Sequence, residues 1–136
     1  MKRYKIREHR GEAGFTLIEL MVTILIIGVL MTVAIPSFYA VRNRSFGSSA
    51  KSIRSTAIKT VEVYNVDQGG TYVGANAAAL TAIEPTPIFT DVPGTIERAF
   101  VHDLSVNGYT IDVLGKDGVT YRATRVGGGN VVLTPN

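Results

Sequence analysis

The sequence predicts an α+β fold: one long, kinked N-terminal helix packed on a small antiparallel sheet of about four strands. Three observations predict it. A 21-residue run from Phe15 to Ile35 carries a single charge, Glu19. Beyond Pro36, apolar residues recur at spacings of three and four as far as Gly69-Gly70. The last 40 residues alternate apolar with polar positions, punctuated by Asn107-Gly108 and Asp117-Gly118. The first pattern suits a membrane-spanning helix, the second one face of a helix, and the third strands joined by hairpin turns.

The chain has 136 residues, enough for one domain. It divides into a basic leader (1–14), an apolar half of the helix (15–41) and a head (42–136) holding the amphipathic half and the sheet. The formal charge of +3 comes from the leader. Its 14 residues hold five basic groups and two acidic ones, while the remaining 122 hold nine of each sign. Basic residues before an apolar span stay in the cytoplasm, so the head is expected outside it. There is no cysteine, which excludes a disulfide framework, a thiolate metal site and a cysteine nucleophile.

Glu19 is the anomaly of the apolar run. A charge in lipid costs several times what one apolar residue returns, but thirteen Leu, Ile, Phe and Val residues between Phe15 and Ile35 outweigh it. Two helix-weakening residues follow. Gly28 costs about 1 kcal/mol relative to alanine in a helix interior, and Pro36 has no amide proton to give the carbonyl of Thr32. A kink or loosened turn is expected between them.

Past Pro36, Ala50, Ile53, Ala57, Val61 and Tyr64 fall on one helical face, with Lys51, Arg54, Ser55, Lys59 and Glu62 mostly elsewhere. Ser45-Phe46-Gly47-Ser48-Ser49 is a weak point, but no proline ends the helix there. One helix is therefore expected from about Phe15 to about Val66, stopped by Gly69-Gly70. The stretch from Thr71 to Thr95 carries Pro85, Pro87 and Pro93 and reads as loop, with a short helical turn at Ala77–Ile83. Four strands follow, near 99–106, 109–115, 118–126 and 130–134, with Gly127-Gly128-Gly129-Asn130 as a looser turn.

Gly14-Phe15-Thr16-Leu17-Ile18-Glu19 resembles the prepilin processing motif of type IV pilins and pseudopilins, and Gly28 and Pro36 fall where such pilins have helix-breaking residues. The resemblance is specific from Gly14 to Pro36; the head resembles the family in architecture. It implies that a prepilin peptidase cuts after Gly14 and methylates the new amine of Phe15. It also implies that the subunit leaves the inner membrane for a filament of other pilin subunits, driven by an assembly ATPase and an inner-membrane platform protein. The filament would be a type IV pilus or a related type II secretion or competence filament. Charge logic agrees: the cut creates a positive amine four residues from Glu19. An unpaired charge in an apolar core is heavily penalised, so amine and carboxylate can set the axial register of neighbouring helices. The cysteine pair that closes a C-terminal loop in many pilins is absent, so packing or turns must hold that region.

Other readings account for less. Thr32-Val33-Ala34 would suit a secretory signal peptidase, but the apolar region exceeds the usual 7–15 residues. A membrane-anchored or secreted binding domain that never polymerises explains the span but not Gly14 or Glu19. His9 and His102 have no ligand partners in the pattern, and Asp91, Asp103, Asp112 and Asp117 do not follow a calcium-loop spacing. No catalytic constellation, metal site or cofactor motif is evident, so a structural subunit is expected rather than an enzyme. Arg42, Arg44, Lys51, Arg54 and Lys59 form a basic stretch just past the span. A solvated helix face with interfacial anchoring explains it first. Nucleic acid is the alternative that phosphate charge leaves open, without evident aromatic stacking platforms.

Overall fold

The computed structural model describes residues 14–86 and 88–135. Apart from Gly14, the expected leader lies outside the described residues. The elements run α1 (Leu17–Asp67), α2 (Ala77–Ile83), β1 (Phe89–Thr90), β2 (Ala99–His102), β3 (Tyr109–Leu114), β4 (Thr120–Arg125) and β5 (Val132–Thr134). The strands form one sheet in sequence order, antiparallel except that β1 pairs parallel with β2. The class is α+β, as expected, with five strands rather than four. The extra strand, β1, is two residues long in a proline-rich stretch, too short to carry a period. Its pairing is set by contact with β2, Phe89 opposite Ala99.

The chain forms two compact units, one ending at Tyr39 and the other spanning Ala40–Asn136. In the first unit, every large apolar side chain from Phe15 onward is exposed, with Phe15 itself, just ahead of α1, 87% exposed. An 18-residue window there has a mean hydropathy of 2.6, and none of it is buried. α1 is helical at both Gly28 and Pro36. It stops where Gly69 and Gly70 take positive φ, with the Gly70 amide donating to the Asn65 carbonyl at 2.8 Å, a left-handed C-terminal cap.

In the second unit, α1 buries Gly47, Ala50, Arg54, Ala57, Val61 and Tyr64, spaced alternately by three and four. This stripe packs in one core with Ala99 of β2, Tyr109, Ile111 and Val113 of β3, and Tyr121 and Ala123 of β4. Those sheet residues alternate along their strands, as a half-buried sheet requires. The β3–β4 hairpin closes over Lys116-Asp117-Gly118. The Gly115 amide donates to the Val119 carbonyl at 2.9 Å, and Gly118 sits at φ +78°, the three-residue turn with a left-handed glycine.

Arg54 corrects the sequence expectation. It lies in the core at 5% exposure rather than on the solvated basic face. Its Nη1 donates to the carbonyls of Arg122 at 3.2 Å and Pro135 at 3.1 Å. Position 54 falls on the same stripe as Ala50, Ala57 and Val61, so its spacing foretells burial even though its charge suggests the opposite. Arg54 thus ties the C-terminal strand to the helix without any cysteine.

Candidate functional site

The site is built from the residue upward at the start of α1. Thr16 is the N-cap. Its Oγ1 accepts from the Glu19 amide at 3.2 Å, and Glu19 Oε2 accepts from the Thr16 amide at 2.9 Å and from the Thr16 hydroxyl at 2.9 Å. This reciprocal arrangement is a capping box, which satisfies amide donors that a helix start otherwise leaves open. Glu19 therefore has a local role in the single chain. Thr16 is absent from the sequence expectation, although Thr-Leu-Ile-Glu is the capping-box pattern before an apolar run and could have found it. Among the described residues no cation pairs with Glu19, and Phe15, Ile18, Val22 and Thr23 line the surface around it.

The other expected positions lie along the same segment. Gly14 precedes the helix and is exposed. A Cβ built at Gly14 or at Gly28 would meet nothing within 4 Å, so nothing else in the described chain demands glycine at either place. Gly28 lies in a groove of about 690 Å³ walled by Ile18, Met21, Leu25 and Val29, an almost wholly apolar surface. Pro36 leaves the carbonyl of Thr32 without its helical donor. Nearby hydroxyls turn back on the helix, Thr32 donating to Val29 at 2.7 Å and Ser37 to Ala34 at 2.9 Å. Chemically, the segment offers an apolar surface, one carboxylate and a peptide bond after a small exposed residue. It offers no nucleophile–base pair.

In the head, polar side chains serve to lock elements together. Glu62 of α1 accepts from the hydroxyls of Tyr72 and Tyr109, both at 2.9 Å, and from Arg125 of β4 at 2.6 Å. Burial pushes its carboxyl pKa up, but the donations from Arg125, Tyr109 and Tyr72 outweigh that and hold it below the ordinary value. The Tyr109 hydroxyl is driven well above its ordinary range by burial and by Glu62.

His102, expected to stand alone, sits between Asp103 at 2.9 Å and Asp112 at 3.3 Å, its ring stacked on Phe100. Asp112 also takes a two-pronged contact from Arg122 at 2.6 and 2.7 Å. Partners two strand positions apart are invisible to a linear pattern but are set by register: His102 lies beside Thr110, and Asp112 faces Arg122. Among the described residues no group of three or more His, Cys, Asp or Glu could hold a metal ion.

The basic stretch also differs from expectation. Two aromatic rings lie against its cations. Arg42 approaches the Phe46 ring at 5.2 Å, and Lys51 approaches the Tyr121 ring at 5.9 Å. Tyr121 comes from β4, so only the fold brings it to the helix.

Residues 9–35 match the family model of the prokaryotic N-terminal methylation motif. The type IV wide pilus major component PilA4 of Thermus thermophilus is 35% identical over 79 residues, covering 57% of this chain and 60% of that protein. The type IV major pilin protein PilA of Myxococcus xanthus is 54% identical over 39 residues, 29% of this chain and 18% of that protein. The fimbrial protein EcpC of Eikenella corrodens is 32% identical over 121 residues, covering 87% of this chain and 68% of that protein. The chain thus spans less than two thirds of the length of the first two relatives and slightly more of the third. No solved structure matches.

Proposed function

The chain belongs to the type IV pilin family, and from that premise we propose that it is a structural subunit of a pilus rather than an enzyme, made and assembled as follows. Residues 1–14 are a leader that a prepilin peptidase removes after Gly14, leaving a free and then methylated amine on Phe15. Residues 15–41 hold the subunit in the inner membrane as a single span with the head outside the cytoplasm. They later form the filament core, while residues 42–136 form the head. A platform protein and an assembly ATPase drive the transfer, and the partners in the filament are other pilin subunits.

The observation that carries this reading is an apolar helical segment left wholly exposed, with one carboxylate at its fifth position. Exposed apolar surface on this scale asks for lipid or for other helices. A carboxylate in that surface asks for a cation. Cleavage after Gly14 supplies one on Phe15, and an incoming subunit whose Glu19 meets the amine of a subunit already in place is held in register. Gly28 and Pro36 let α1 loosen as it leaves lipid for the filament. Each weakens the helix through its own backbone chemistry rather than through a contact.

Mass spectrometry of the protein recovered from cells tests the processing step. The mature chain should begin at Phe15 and carry one methyl group. A chain beginning at Met1 or Ile35 would rule the reading out.

A further inference from the structure

We infer that the head carries a binding site for the phosphate of an anionic lipid headgroup, formed where Arg44 and Lys51 of α1 flank the Tyr121 hydroxyl of β4. The inference rests on the membrane-inserted state proposed above and concerns the subunit before it enters a filament.

The site is a groove of about 490 Å³ lined by Asn43, Arg44, Gly47, Ser48, Lys51 and Tyr121. Arg44 and Lys51 are seven residues apart, so they stand on one helical face roughly 10 Å apart along the axis. Gly47 lies between them and supplies no side chain, so the floor is the Tyr121 hydroxyl; a Cβ at Gly47 would fall on it. Asn43 and Ser48 add neutral donors on the rim. Arg44 and Lys51 are exposed, and neither makes an ion pair among the described residues. Behind that floor the Asp117 carboxylate keeps its charge and takes the Tyr121 proton, accepting from the Tyr121 hydroxyl at 2.6 Å and from the Val119 amide at 3.1 Å, so the donors open to an anion are Arg44, Lys51, Asn43 and Ser48. Two cations outside any ion pair among the described residues, with neutral donors on the rim, make a receptor for a phosphate, Arg as a fork and Lys as a point charge.

Charge order along the chain selects a lipid as the source. No acidic residue occurs between Glu19 and Glu62, while Arg42, Arg44 and Lys51 lie within about 20 residues of the end of the apolar run. That is the flank where a translocated segment ordinarily avoids Lys and Arg, so carrying them across the membrane works against the topology rule. An anionic headgroup on the outer surface gives them a partner. Phe38 and Tyr39, both exposed, precede them in sequence and are residues of the kind that settle at the lipid–water interface. Each basic side chain near an anionic surface is worth roughly a fivefold gain in binding.

The test uses the full chain in nanodiscs of phosphatidylcholine mixed with phosphatidylglycerol, ejected for native mass spectrometry. Incorporation of the chain is scored first, and its failure would count against the membrane-inserted state itself. With the chain incorporated, the wild type should retain phosphatidylglycerol over phosphatidylcholine. The double variant Arg44→Gln/Lys51→Gln should lose that preference by about 30-fold, and Arg44→Lys/Lys51→Arg should keep most of it. Equal retention of the two lipids by the wild type, or an unchanged preference in the double variant, would overturn the inference. So would a short DNA duplex that displaces phosphatidylglycerol through the same two residues.

Discussion

Arg54 and Glu62 hold the head together through single side chains. Replacing Arg54 with Ala removes the donor shared by the carbonyls of Arg122 and Pro135 and empties its buried place beneath the sheet. The expected cost is about 1–2 kcal/mol. Hydrogen exchange should show it first as lost protection in β5, before β3 is affected; unchanged β5 protection would refute the clasp. Glu62 predicts a pH dependence. Its carboxyl pKa is depressed in the folded head by Arg125, Tyr109 and Tyr72 acting against burial, and Asp112 is depressed chiefly by its hydrogen bond to Arg122. A group with a lowered folded pKa contributes stability above its unfolded value, which is lost as pH falls through the folded one. The head should therefore hold its stability above about pH 4.3 and lose it below. Glu62→Gln should flatten that loss, as read by near-ultraviolet circular dichroism across an acid titration. The partners of neither residue are legible in the linear sequence, although the spacing of Arg54 sets it on the buried stripe. Arg54 reads as one cation among five, and the donors to Glu62 lie 10 to 63 residues away along the chain.

Among the elements, α1 was the most legible, because two periodic signals and a terminal glycine pair define it over a great length. Its expected end at about Val66 lies one residue from the observed Asp67, and the short turn at Ala77–Ile83 is observed as α2. Strands β3 and β4 were legible through alternation and the Asp117-Gly118 turn. β2 ends at His102 rather than near 106, because Asp103 takes a positive φ of 52° and breaks the strand. β1 could not be read, since pairing rather than sequence makes it a strand. Ser45-Phe46-Gly47-Ser48-Ser49 reads as a weak point by composition, yet it is helical, and Gly47 faces side chains of the β3–β4 hairpin. Tyr121 and Asp117 occupy the space a side chain would need. Gly47→Val should cost about 1–3 kcal/mol through overpacking, measured as a lowered thermal midpoint with α1 helicity retained. A variant as stable as the wild type would mean the contact is not tight.

For the molecule as a whole, one short segment caps its own helix and carries the processing and assembly roles proposed above. The sequence motif points to Gly14, Phe15 and Glu19 for the proposed processing and assembly, and in the structure Glu19 caps its own helix through Thr16. Loss of filaments in Glu19→Ala alone would therefore not distinguish a lost charge from a frayed helix start. Glutamine separates the two, because it can occupy the same place in a capping box while carrying no charge to meet the Phe15 amine. The most direct measurement is filament yield from cells expressing Glu19→Gln, scored beside membrane insertion and processing of the same protein. The account predicts a chain that inserts, is cut after Gly14 and keeps its helix start, yet enters no filaments. Normal filaments from Glu19→Gln would contradict it and reduce Glu19 to a helix cap.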